Sequence, residues 1–125
     1  MKILIVDDSK ILRERLTRVI AEIKGMEIVG EAETQSQTLR LIIKLKPDVV
    51  ILDIRLKTGG GIKVLENIIK RSLKTEIIVC TNYSYTQYRR RCQELGVKYF
   101  LEKATEFEKI PRVLRKIMKE KQAYI

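Results

Sequence analysis

Five polar side chains of this 125-residue sequence stand where apolar runs end, and their types suit one kind of chemistry. Asp7 and Asp8 follow Ile3-Leu4-Ile5-Val6, Asp53 follows Val49-Val50-Ile51-Leu52, Thr81 follows Ile77-Ile78-Val79-Cys80, and Lys103 comes just after Tyr99-Phe100-Leu101. A carboxylate at the end of an apolar strand costs several kcal/mol to desolvate unless something pairs with it. Three carboxylates drawn together repel and invite a hard divalent cation, and oxygen ligands with water suit Mg2+ better than zinc or copper. Mg2+ and the Lys103 ammonium would together balance the three negative charges. A carboxylate held in this way can attack a phosphoryl group and become an acyl phosphate. The cation and Lys103 would neutralise the transferring oxygens, and the Thr81 hydroxyl could donate to one of them. Each residue also has a plainer reading. Asp7 or Asp8 could cap the first helix, Asp53 and Thr81 could merely terminate strands, and Lys103 could be one more surface lysine. Their joint placement is what argues for a site.

That placement depends on the elements between them. Ile3–Val6 reads as a buried strand. From Ser9, an N-cap, Leu12, Leu16, Val19, Ile20 and Ile23 keep helical spacing until Gly25. Glu27–Ala32 is a less apolar strand and so nearer a sheet edge. Thr34 or Ser36 caps a second helix, which Pro47 stops. Val49–Leu52, with three β-branched residues in four, reads as a strand buried on both faces. The loop Lys57-Thr58-Gly59-Gly60-Gly61 leads to a third helix marked by Ile62, Leu65, Ile68 and Ile69, and Glu76–Thr81 is the fourth strand. A fourth helix over Tyr85–Leu95 has a thin apolar stripe of Tyr85, Tyr88, Cys92 and Leu95, which suits a moving part. Tyr99–Leu101 is the fifth strand, and the last helix carries Ile110, Val113, Leu114, Ile117 and Met118, with Pro111 in its first turn. Five strand–helix units in series predict a doubly wound parallel α/β sheet in a single domain over residues 1–125. Right-handed crossovers put the strands' C-terminal ends, with all five polar groups, on one edge.

Composition removes several other classes. The chain has no histidine, which excludes a His-based triad, a zinc-protease helix and a histidine general base. Its two cysteines, Cys80 and Cys92, lack metal-site spacing and read as buried thiols in a reducing compartment. No apolar run approaches a transmembrane span, and Met1–Val6 reaches two aspartates too early for a secretory signal, so a cytoplasmic location is expected. The net charge of +10 raises the question of a nucleic-acid partner, but Lys and Arg are spread along the chain. Arg89-Arg90-Arg91 would fan around a helix, so nucleic acid is not the expected partner.

With these residues in place the chain resembles the receiver domain of bacterial two-component response regulators. The motifs carrying the resemblance are Ile5-Val6-Asp7-Asp8-Ser9, Pro47-Asp48-Val49-Val50-Ile51-Leu52-Asp53 and Phe100-Leu101-Glu102-Lys103, and the match covers essentially the whole chain. The resemblance implies a flavodoxin-like (βα)5 fold with strand order 2-1-3-4-5. It implies that Asp53 accepts a phosphoryl group from the phosphohistidine of a sensor kinase or phosphotransfer protein. Asp8, Asp53 and the backbone carbonyl of Arg55 would bind Mg2+ directly, with Asp7 acting largely through water. Lys103 would pair with the acyl phosphate. Thr81 would move to the phosphate, letting Phe100 turn inward and reshape the face of the fourth helix, fifth strand and fifth helix for a downstream protein, phosphoryl relay or a phosphorylation-dependent dimer. The protein would then catalyse only its own phosphoryl transfer and dephosphorylation. Because the sequence ends soon after the last helix, output through the domain itself is expected.

Five positions depart from or vary within that pattern. Lys57 stands where the family usually has proline, and with three glycines following it predicts a more mobile loop. Ala104 replaces the proline after the lysine, so a trans Lys103–Ala104 peptide is predicted. Asn82, larger than the usual Ala or Gly, would narrow access to Asp53. Arg55 and Tyr83 flank the site and could shield the acyl phosphate, which predicts slow self-dephosphorylation. Three other classes remain to be weighed. An aspartyl-nucleophile phosphatase usually carries a second aspartate two residues on, where Arg55 stands. An interaction scaffold with no phosphorylation has the intact acid set against it, and a basic nucleic-acid module would show salt-dependent DNA binding.

Overall fold

Every strand of the computed structural model falls where its apolar run predicts. The structure describes residues 1–123. Strands β1 (Lys2–Val6), β2 (Glu27–Ala32), β3 (Val49–Leu52), β4 (Glu76–Thr81) and β5 (Tyr99–Glu102) form one parallel sheet in the order β2-β1-β3-β4-β5. The major helices are α1 (Lys10–Ala21), α2 (Gln35–Leu45), α3 (Gly61–Lys70), α4 (Thr86–Glu94) and α5 (Ile110–Gln122). This is the flavodoxin-like arrangement.

The period of two along the strands sorts the core into two layers. Ile3, Ile5, Val49, Ile51, Ile78 and Cys80 pack with Leu16 and Ile20 of α1 and with Leu114 and Ile117 of α5. Their alternates, Leu4, Val6, Val50, Leu52, Ile77 and Val79, pack on the other face with Ile42 of α2, Val64, Leu65 and Ile68 of α3, and Cys92 of α4. Both faces being covered explains why β1 and β3 are apolar without alternation. The edge strand β2 is interrupted by a register shift opposite Ile3 and Leu4.

The helix ends sharpen the sequence reading. Ser9 caps α1, its Oγ accepting from the Leu12 amide at 3.2 Å, and Thr34 rather than Ser36 caps α2, accepting from the Gln37 amide. Helix α1 stops at Ala21, short of Gly25, because the Ile23 amide turns back to the Ile20 carbonyl and drops the Ile23 side chain into the core. Helix α2 ends on Lys46 in the left-handed region (φ 48°), one residue before Pro47. A one-turn helix over Lys103–Glu106 and a 3-10 turn over Phe107–Lys109 precede α5. The Lys103–Ala104 peptide is trans, as predicted. In α4 only Cys92 of the apolar stripe is fully buried, and Tyr85, at the N-cap, is 61% exposed.

Candidate functional site

The parallel sheet brings the C-terminal ends of β1, β3, β4 and β5 to one edge, and four of the five expected groups touch there. Lys103 Nζ donates to Asp7 Oδ2 at 2.7 Å and to Asp53 Oδ2 at 2.8 Å. The Thr81 hydroxyl donates to Asp53 Oδ1 at 2.6 Å, and the Tyr83 amide donates to the Thr81 oxygen at 3.1 Å. The Arg55 amide adds a longer bond, 3.3 Å, to Asp53 Oδ1. Both Asp53 oxygens are therefore held, in a residue only 4% exposed. Asp8, the fifth group, is exposed and touches neither Lys103 nor Thr81. One oxygen of each of Asp7, Asp8 and Asp53 nevertheless lies within 4.8 Å of the others.

Electrostatics follow from this packing. Burial pushes the Asp7 carboxyl above its ordinary range, against the opposing pull of the Lys103 ammonium and of the Ser9 amide, which donates to Asp7 Oδ1 at 2.8 Å. Burial would lower Lys103, but its bonds to Asp53 and Asp7 outweigh that and hold it above the ordinary lysine value, so it remains an ammonium. Three carboxylates against one ammonium leave two negative charges uncompensated. A closely spaced oxygen set with that deficit fits a hard divalent cation, so the donor chemistry suits Mg2+.

The loop after β3 is more constrained than its three glycines suggest. The Lys57 amide donates to the Glu33 carbonyl at 2.9 Å, the Gln35 amide to the Thr58 carbonyl at 3.0 Å, and the Gly61 amide to the Ile54 carbonyl at 2.7 Å. A Cβ on Gly61 would fall onto the Asp53 carbonyl oxygen, so this glycine answers close backbone approach rather than a need for freedom. Gly59 does take a positive φ, 76°. The Arg55 side chain leaves this loop and crosses to the segment that follows β4, where its Nη1 donates to the Tyr83 hydroxyl at 3.0 Å with the guanidinium over the ring. Together Arg55, Tyr83 and Asn82 wall a cleft of about 330 Å3 that also takes in Asp8, Asp53 and Lys103.

Phe100 lies outside this cluster, half-buried beside Val79 in the sheet, with the Arg89 guanidinium 4.4 Å from its ring centre. Two supports escaped the sequence reading. Arg13 Nη1 donates to the Asp7 carbonyl at 2.6 Å, and the Arg15 guanidinium stacks on Phe107 at 4.0 Å. The first was within reach, since Arg13 sits four residues beyond the Ser9 cap on the turn facing the same edge. The second depended on the extra helical turn after Lys103.

Comparison with known proteins agrees with the geometry. The family model described as the response regulator receiver domain matches residues 3–115. The sensory transduction protein LytT of Bacillus anthracis is 34% identical over 125 residues, covering 100% of this chain and 50% of LytT. Protein CcdB of Bacillus subtilis is 32% identical over 117 residues, covering 94% of this chain and 97% of CcdB. Apart from CcdB, the chain spans about half the length of the first curated relatives it matches. Among solved structures, the N-terminal domain of an uncharacterized protein from Wolinella succinogenes superposes with a TM-score of 0.90 at 33% identity, covering 100% of this chain and 99% of that one. Receiver domains of this family are signalling phosphoacceptors that bind Mg2+ at an acidic pocket and interact with sensor kinases and downstream partners. Among the described residues no helix is long and apolar enough to cross a membrane. With its acid cluster at the C-terminal edge of a 2-1-3-4-5 sheet and a family match across nearly its whole length, this chain belongs to the response regulator receiver domains of two-component systems.

Proposed function

We propose that the chain works as a single receiver domain whose Asp53 accepts a phosphoryl group from a phosphohistidine. The observation that carries this reading is the buried Asp53 carboxylate, held by Lys103 at 2.8 Å and Thr81 at 2.6 Å beside two further acids. An Asp53 oxygen forms the new P–O bond while the P–N bond to the donor imidazole breaks, the electron pair staying on nitrogen. Asp7, Asp8, Asp53 and the Arg55 carbonyl would hold Mg2+, which when bound supplies positive charge to the transferring oxygens. Lys103, already an ammonium between Asp7 and Asp53, turns its donors to the acyl phosphate. Thr81 gives up its bond to Asp53 Oδ1 and donates to a phosphoryl oxygen instead.

Moving Thr81 loosens what lies behind it. The Tyr83 amide loses its acceptor, and space opens toward β5, where Phe100 can turn inward. Reorientation of Phe100 breaks its stacking with Arg89 and reshapes the face formed by α4, β5 and α5, for a downstream protein, for relay or for self-association. A cytoplasmic location follows from a kinase partner.

The test is incubation with Mg2+ and a small acyl phosphate donor, following label incorporation and amide chemical shifts near Thr81 and Phe100. Wild type takes up label and Asp53→Asn takes up none. If wild type remains unlabelled even with phosphorylated kinase, the phosphoacceptor reading is overturned and a phosphorylation-independent scaffold replaces it.

A further inference from the structure

A second cleft, of about 450 Å3, opens between α3 and the start of α4, beyond the wall of the first. The two clefts have only Arg55 and Tyr83 in common, so one hydrogen-bonded pair separates the acid cluster from this groove. Aromatic rings make up much of its lining. Tyr85 and Tyr88 lie with ring centres 5.9 Å apart, tilted by 48°, and Tyr85 is among the most exposed large hydrophobic side chains of the described residues. Ile54 and Ile62 add aliphatic surface. The ionisable groups other than tyrosine are Arg55 and Lys63, both cationic. Glu66, the acid of α3, is taken up by Arg91 of α4 at 3.3 Å. Rigid tyrosines with arginine, ringed by polar groups, are the composition of protein-binding hot spots. A cationic rim on a chain of net charge +10 selects an acidic partner.

We propose that this groove docks an acidic peptide segment of a partner protein, with an aromatic or aliphatic anchor among the tyrosines and carboxylates on Lys63 and Arg55. The inference rests on the receiver reading for one of its properties, the coupling between clefts. Tyr83 is bonded through its amide to Thr81, and Thr81 to Asp53, so a change at Asp53 reaches the shared wall through two hydrogen bonds. A segment bound in the groove holds Arg55 and Tyr83 in one arrangement. Occupancy of the groove and of the phosphoryl site then influence each other equally, as linkage requires.

Selection from a random displayed peptide library on the immobilised full chain tests this, with beryllofluoride and Mg2+ as the phosphoryl mimic in a parallel arm. Recovered peptides should be rich in Asp and Glu around Trp, Phe or Leu, and should shift amides of α3 and of residues 83–88. They should bind about tenfold or more weakly to Tyr85→Ala and Lys63→Glu, whose exposed positions leave the fold intact by circular dichroism. Arg112→Glu, on α5, should bind as wild type does. With beryllofluoride, peptide affinity should change by the same factor as the peptide changes beryllofluoride affinity. The docking site is overturned if no peptide is recovered, if those recovered lack acidic residues or shift only α5 and β5, or if a single-stranded oligonucleotide alone occupies the groove. Equal affinity with and without the mimic overturns the coupling. Label uptake at Asp53, measured in the same variants, reports separately on the receiver reading.

Discussion

Asp53 would be unstable as an isolated buried carboxylate, and the residues around it show how that cost is offset. Lys103 neutralises one charge, Thr81 and the Arg55 amide satisfy the remaining oxygen, and the cluster still holds an excess of negative charge. A bound cation should therefore stabilise the fold. At free Mg2+ about 100-fold above its Kd the native state gains about 2.7 kcal/mol, read as a higher thermal midpoint. Asp8→Asn should abolish most of that gain while being at least as stable as wild type without Mg2+, since it relieves repulsion; an undiminished Mg2+ response would place the ion elsewhere. Arg55 and Tyr83 cover the cleft together, so Arg55→Ala should shorten the acyl phosphate lifetime several-fold, followed by loss of label after donor removal. An unchanged lifetime would remove shielding as their role. The acids, Thr81 and Lys103 were legible in the sequence because each ends an apolar run. The stacking of Arg15 on Phe107 was not, because it depends on the helical turn that follows Lys103.

At the scale of elements, the strands were readable almost to the residue, since burial on both faces leaves little freedom in composition. Helix ends and loops were less so. The Lys57–Gly61 loop reads as loose, yet hydrogen bonds to the start of α2 and the approach of Gly61 to Asp53 fix it. The bonds to the start of α2 join residues some 25 apart in sequence, as Gly60 and Gln35 do, and local pattern does not report them. The thin stripe of α4, in contrast, was legible and has a measurable consequence. Burial pushes the Cys80 thiol up to about 12 and the Cys92 thiol up to about 11, so neither is a thiolate at neutral pH while buried. Cys80 lies in a central strand, whereas Cys92 is the one fully buried residue of α4. Local opening of α4 exposes Cys92 without disturbing the sheet. Alkylation under native conditions should therefore modify Cys92 first, by peptide mass analysis; simultaneous modification of both would mean that α4 opens only with the whole domain.

For the whole molecule, the edge opposite the site is tied by Asp48. Its carboxylate accepts from the Lys2 amide at 2.7 Å and from Lys121 Nζ at 2.6 Å, joining the starts of β1 and β3 to the end of α5. Burial alone would raise the Asp48 carboxyl, but these two donors outweigh it and hold it below the ordinary value of 3.8. A carboxylate depressed by folding contributes stability above its unfolded pKa and loses it as pH falls through the folded one. Asp48→Asn should thus cost about 1 kcal/mol near neutrality, with the gap to wild type closing below about pH 3.8, in urea melts at both pH values. A gap that persists in acid would show that the bonds, not the charge, carry the effect.

The strand order also sets a timetable. β1 is the first strand to be made, yet it lies between β2 and β3, and one side of its backbone stays unpaired until Val49–Leu52 has been synthesised. Lys103 comes later still, 96 residues after Asp7 and 50 after Asp53. A nascent chain halted before β5 holds the acids without their counter-charge. The charge balance of the cluster is in this way completed only when the last strand has been made.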